Sequence, residues 1–177
     1  MGCALKKRTK EELNHIKNSW YMDDFGVLRW KRDAMHGKKA GDRVNIQTGK
    51  TGHQICYLQV NGKYTGYSLG QIAWFLYHGK WPDKEIDHID CNPKNQMKDN
   101  LRLASRSQQC MNRISGKKGR PNKGVYKRNY GNKWTAQIWA NGKAYCVGTF
   151  ESEQEAIDAR IKKMKEIHGD FANFQSY

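Results

Sequence analysis

Apolar residues along this chain fall in short runs separated by glycine, asparagine and lysine. From Trp20 to about Ser68 the runs have strand length. Phe25-Gly26-Val27-Leu28-Arg29-Trp30 and Ile55-Cys56-Tyr57-Leu58-Gln59-Val60 are the clearest. Asn61-Gly62 predicts a hairpin turn, because both residues tolerate positive φ. His36–Gly52 is rich in glycine and lysine and reads as a loop, and residues 1–18 read as a frayed or helical tail. Leu69–His78 is apolar on most sides and predicts a buried helix that Gly79 ends. The third part of the chain repeats the strand-and-turn pattern. Strands are expected at Lys123–Arg128, Trp134–Ala140 and Ala144–Phe150, with a second hairpin turn at Asn141-Gly142. Ser152-x-x-Glu155 is a capping box, and Ala156, Ile157, Ile161 and Met164 form the apolar stripe of a helix that runs to about His168.

The chain has 177 residues, 37% of them hydrophobic. That is one medium core or a few small ones. The expected division is a tail at 1–19, a first domain at 20–114, a basic linker at 115–122 and a second domain at 123–177. No apolar run is long enough to span a bilayer. The N-terminus lacks the apolar middle of a secretory signal, and Lys6 spoils a myristoylation motif. The expectation is an intracellular protein, neither secreted nor membrane-bound. Five cysteines with no CxxC pair argue against a zinc ribbon or a disulfide framework.

Charge narrows the choice of partner. The net is +15, and it is uneven: residues 1–100 carry 17 bases against 11 acids, and residues 101–177 carry 15 against 6. Between Asn100 and Phe150 there are 11 bases and no acid. Such a distribution suits a polyanion.

The chemistry is concentrated in residues 85–113. An Asp87-His88 pair follows a strand pattern, and Asn100 stands twelve residues after His88. A short strand at Leu101–Ala104 follows, then a helix capped by Ser105 that carries Gln109 and Asn112 on adjacent turns. Hydrolysis of a phosphodiester needs a divalent cation, a base and a partner that holds the base. A carboxylate and a side-chain amide suit a hard cation, and histidine titrates in the range a base requires. Asp90 and Asp99 read as loop and turn residues.

This segment resembles the ββα-metal site of HNH endonucleases, especially the phage and intron homing type. Phe25–Lys31, Asn61-Gly62-Lys63 and Ile72–Pro82 extend the resemblance over about residues 20–113. It implies that Asp87 is a metal ligand and His88 the general base. It implies that Asn100 organises the loop and orients the base. The third motif position, usually Asn or His, is Gln109, with Asn112 one turn later. Glutamine carries the same amide oxygen on a longer stem. It could ligate Mg²⁺ (or Mn²⁺) after a small shift, Asn112 could substitute, or the site could be inactive.

Residues 121–174 resemble a second family, the Apetala-two (ethylene-response-factor) DNA-binding domain. The residues that carry this likeness are Gly124-Val125, Trp134-x-Ala136-x-Ile138, Gly148-Thr149-Phe150 and Gly169-x-Phe171-Ala172-x-Phe174. By strand alternation Trp134, Ala136 and Ile138 should face the helix and Thr135, Gln137 and Trp139 the solvent. The resemblance places Tyr126, Arg128, Gln137 and Trp139 at DNA-contacting positions. Lys123, Lys127, Lys133 and Lys143 would serve phosphates.

The expected protein is therefore α+β, a ββα-metal nuclease module followed by a three-stranded antiparallel sheet packed on one helix. The expected function is site-specific cleavage of double-stranded DNA, by a monomer or a transient dimer on DNA with no obligate protein partner. The alternative is a DNA-binding regulator that kept the nuclease scaffold without its activity.

Overall fold

A computed structural model describes residues 6–35, 37–50, 52–112 and 124–172. The expected linker at 115–122 and Lys123 lie outside the described residues. The chain forms two compact units, 1–104 and 105–177.

The first unit begins with helix α1 (Lys10–Ser19). Its start is built by reciprocal capping: the Thr9 hydroxyl accepts from the Glu12 N–H at 3.1 Å, and the Glu12 carboxylate accepts from the Thr9 N–H at 2.8 Å. The segment is more than a tail, because Ile16 is fully buried in the core. One apolar side chain per turn suffices to dock a helix whose other faces are wet.

Strands β1 (Trp20–Met22) and β2 (Leu28–Trp30) pair antiparallel, with Trp20 opposite Trp30. The expected strand from Phe25 is shorter than its apolar run. Residues 24–26 turn instead, around an Asp23 carboxylate that accepts from the N–H groups of Phe25 and Val27. Gly26 sits at φ +72, and a Cβ on it would lie 2.9 Å from the Met97 backbone nitrogen. Only glycine fits at that approach.

A second sheet has the order β3-β4-β5, with β3 (Ile46–Thr48), β4 (Gln54–Val60) and β5 (Lys63–Ser68). The β4–β5 turn is Asn61-Gly62, with φ of 51 and 76, as a two-residue hairpin requires. β3 falls inside the segment expected to be a loop. Helix α2 (Leu69–His78) matches its expected span, and Gly79 ends it in the left-handed conformation. Trp20, Leu28, Cys56, Leu58, Tyr67, Ile72 and Phe75 form the core between these elements. Burial raises the Cys56 thiol pKa to about 12, so this cysteine is an apolar filler. The unit closes with the antiparallel pair β6 (Glu85–His88) and β7 (Leu101–Ala104).

The second unit starts with α3 (Arg106–Asn112). The Ser105 hydroxyl accepts from the Gln108 N–H at 3.3 Å, and the Gln108 side chain accepts from the Ser105 N–H at 2.8 Å. β8 (Val125–Lys127), β9 (Trp134–Ala140) and β10 (Lys143–Phe150) form an antiparallel sheet of order β10-β9-β8, with a bulge between Cys146 and Gly148. Helix α4 (Glu153–His168) covers one face. Its buried residues are Ala156, Arg160, Met164 and His168, while Ile157 and Ile161 are only half-buried. The helix is thus rotated from the expected apolar stripe, and Arg160 enters the interior. The Arg160 Nε donates to the Gln137 carbonyl at 2.9 Å, and burial lowers the guanidinium pKa to about 10. Thr135, expected in solvent, is buried.

Candidate active site and the open sheet face

Asp87 and His88 end β6, where the register sets Asp87 opposite Arg102 and His88 opposite Leu101. Successive strand residues point to opposite faces. Accordingly Asp87 is buried and His88 half-buried. The Arg102 Nε donates to one Asp87 carboxylate oxygen at 2.8 Å. The ladder continues one step past β6, where the Ile89 N–H donates to the Asn100 carbonyl at 2.9 Å.

Asn100 then ties the loop between the strands. Its amide oxygen accepts from the Asp90 N–H at 3.0 Å, and its amide nitrogen donates to the Asp90 carboxylate and the Asn95 carbonyl, each at 2.9 Å. Asp90 is the other half of the knot, accepting also from the Asn92 N–H and the Asn95 amide at 2.8 Å. Burial opposes the charge on Asp90. The hydrogen bonds from Asn95, Asn92 and Asn100 outweigh it and hold the carboxyl below its ordinary value.

The ring of His88 meets a residue absent from the expected site. Its Nε2 lies 3.3 Å from the Gln96 side-chain oxygen. Gln96 is 2% exposed. Burial lowers the His88 pKa, against the opposing influence of Gln96, Asp90 and Asp87. The imidazole is therefore neutral at neutral pH, the form a general base needs. Arg102 was legible in principle, since pairing the two strands from the turn sets it opposite Asp87. Gln96 had no such signal.

One hairpin and its loop thus bring Asp87, His88 and Asn100 together. Gln109 and Asn112 are on α3, three residues apart on one helix face, within the unit 105–177. Among the described residues no three His, Cys, Asp or Glu side chains group as metal ligands. The expected donors are one carboxylate and side-chain amides, so no such group is required.

The sheet of the second unit has one open face. Paired residues share a face, which puts Tyr126, Thr135 and Thr149 together, followed by Gln137 with Cys146 and Trp139 with Ala144. Trp139 is 66% exposed and Tyr126 44%. Arg128 and Lys133 are exposed at the end of the β8–β9 pair, and Lys133 is bonded to Glu151 at 2.8 Å. Lys127 and Lys143 are exposed, but the register aligns them with Trp134 and Ala140, on the helix side. The DNA residues expected from the sequence are therefore split between the two faces.

A family model described as HNH endonuclease matches residues 69–111, from α2 through α3. The uncharacterised HNH endonuclease L560 of Acanthamoeba polyphaga mimivirus is 32% identical over 123 residues, covering 66% of this chain and 64% of that protein. Protein 3.8 of Escherichia phage T7 is 33% identical over 93 residues, covering 51% of this chain and 74% of that protein. A solved structure of the HNH homing endonuclease I-HmuI, described as binding and cleaving DNA, aligns with TM-score 0.39 at 20% identity. It covers 49% of this chain and 47% of that one. The chain thus spans less than two thirds of L560 and less than half of I-HmuI. It belongs to the family of Protein 3.8 and carries an HNH endonuclease domain over residues 69–111.

Proposed function

We propose that the protein is a site-specific DNA endonuclease of the homing type. The observation that carries this reading is the β6–β7 hairpin, where a half-buried His88 stands beside Asp87 next to a loop tied by Asn100. His88 takes a proton from water as the water oxygen attacks phosphorus. The bond to the leaving sugar oxygen breaks, and that oxygen is protonated from solvent. Asp87, with the amides of Gln109 and Asn112, is the set that would hold a divalent cation. One carboxylate and amide oxygens suit Mg²⁺ or Mn²⁺. Arg102 draws on one Asp87 oxygen, and a carboxylate offers about four lone-pair positions, so the pairing is compatible with such a ligand. A cation bound there supplies charge neutralisation at the scissile phosphate.

In this reading the sheet of the second unit is an Apetala-two-like module that supplies target affinity. Tyr126, Arg128, Gln137 and Trp139 contact bases, and Lys123, Lys127, Lys133 and Lys143 contact phosphates. Exposed aromatic area among basic residues supports it, since such a face is costly without a partner. The partner is double-stranded DNA inside the cell, engaged by a monomer or a transient dimer. A second reading, DNA binding without cleavage, draws on the Asp87–Arg102 pair and on Gln109 at the third motif position.

The test is incubation with supercoiled plasmid and with DNA flanking the protein's own gene. Mg²⁺, Mn²⁺ and chelator arms are run beside His88→Ala. Metal-dependent nicking or linearisation that disappears in the variant is the expected result. Tight binding with no cleavage in any metal would favour the second reading.

A further inference from the structure

We infer that Gln96 is the positioning residue of His88, and that it fixes the imidazole tautomer with the proton on Nε2 and the lone pair on Nδ1. The inference rests on the reading of His88 as the base, and it names a residue that the motif does not contain.

Hydrogen-bond polarity fixes which end of the Gln96 amide faces the ring. Gln96 is buried, and each polar end of its side chain is committed. Its amide nitrogen lies 2.7 Å from the Pro93 carbonyl and 3.4 Å from the Gln54 side-chain oxygen. A carbonyl can only accept. If the Gln96 amide were turned over, its oxygen would face the Pro93 oxygen at 2.7 Å, two acceptors in contact. The amide orientation is therefore determined by its surroundings, and the oxygen must be the atom that faces His88. That oxygen lies 3.3 Å from Nε2 and can only accept, so Nε2 carries the hydrogen in the neutral ring. Nδ1 is then the basic nitrogen.

Further contacts make Gln96 stiff. Its backbone carbonyl accepts from the Tyr77 hydroxyl at 3.2 Å, which ties it to α2. Its Gln54 partner is the first residue of β4. The ring is thus referenced to the main sheet and helix of the first unit, not only to its own loop. Asn100 has a different task. Its side-chain hydrogen bonds go to Asp90 and Asn95, so it shapes the loop from which Gln96 projects.

The experiment uses the full chain with ¹⁵N-labelled histidine. Two-bond ¹H–¹⁵N correlation is recorded at a pH where the ring is neutral, and the His88 signals are identified by their loss in His88→Ala. The expected spectrum shows Nε2 protonated and Nδ1 unprotonated. Gln96→Met keeps the length of the side chain but can neither donate nor accept from its end. It should give a mixture of tautomers and lower kcat by about 10- to 100-fold with KM for DNA changed far less, as expected when a reacting group is misplaced but substrate contacts are kept. Gln96→Glu can offer the same acceptor to the Nε2 hydrogen when its other oxygen is protonated and donates to the Pro93 carbonyl, and in that form it should retain the wild-type tautomer.

A wild-type His88 protonated on Nδ1 would overturn the inference without need of any variant. So would a Gln96→Met chain with unchanged tautomer and unchanged kcat. Failure of the parent reading looks different: cleavage would then survive His88→Ala, whatever the ring spectrum shows.

Discussion

The loop between β6 and β7 depends on one amide, and replacing Asn100 shows how. In Asn100→Ala three hydrogen bonds are lost, two between neutral groups and one to the Asp90 carboxylate. At about 1 kcal/mol for each neutral bond and about 2 for the charged one, the loss comes to about 4 kcal/mol. That is a large share of a stability of about 5–15 kcal/mol, and should lower the melting temperature by about 10–15 °C. Asn100→Asp is the sharper perturbation. It keeps the acceptor for the Asp90 N–H but puts a carboxylate oxygen where an N–H faced the Asp90 carboxylate at 2.9 Å. Two ionised carboxylates that close would repel by about 6 kcal/mol at an effective dielectric near 20, so the pair holds a proton instead.

The sign of the pH dependence follows. The shared proton has a raised pKa in the folded chain, so the stability of Asn100→Asp is best preserved at low pH and is lost as pH rises. In the wild type Asp90 has a depressed pKa, so its contribution is present at neutral pH and lost as pH falls through the folded value. The gap between variant and wild type should therefore narrow on going from about pH 7.5 to about pH 5. Thermal melts of the full chain at the two pH values, with plasmid cleavage alongside, are the assay. An Asn100→Asp chain as stable as wild type at neutral pH, or a gap that widens on acidification, would refute the reasoning.

Gly124→Ala should destabilise the second unit by several kcal/mol, because φ is +80 and the new Cβ would overlap the Gln137 oxygen that Arg160 also binds; urea titration of the full chain reads it. Burial holds His88 below its ordinary pKa of 6.5, so the acid limb of kcat/KM should have its midpoint under pH 6.5, and the same group should withdraw stability as pH falls below 6.5, where the unfolded chain takes up the proton first. Trp139→Ala should weaken duplex DNA binding by about 10-fold or more with a melting temperature within about 2 °C of wild type, since an exposed ring contributes little to the fold; fluorescence anisotropy and a melt on one sample decide it.

Much of the fold was readable in the chain because turns and long apolar runs are local. Asn61-Gly62 and Asn141-Gly142 fix two hairpins by their own backbone preferences, and α2 and β9 match their expected spans. The short strands β1 and β3 were not readable, since three residues carry no periodicity and exist only by pairing with Leu28–Trp30 and Gln54–Cys56. In α4 the expected stripe took the apolar residues, whereas the buried ridge runs Ala156, Arg160, Met164 and His168 at intervals of four. A polar side chain in that ridge is tolerated because the Gln137 carbonyl is there to receive it.

The site shows the same limit in its most useful form. Asp87, His88 and Asn100 could be named because a motif fixes their spacing. Asn92, Asn95, Gln96 and Asn100 are four amides within nine residues, and by composition all belong to a turn. Two of them are buried, and these two act on different targets, Asn100 on the backbone of the loop and Gln96 on the ring of His88. What separates them is the direction of each hydrogen bond. That direction is set by Pro93 and by Gln54, the latter 42 residues away in sequence. A base oriented in this way depends on the sheet behind it, so substitutions at Gln54 should disturb catalysis more than stability, although Gln54 belongs to no motif.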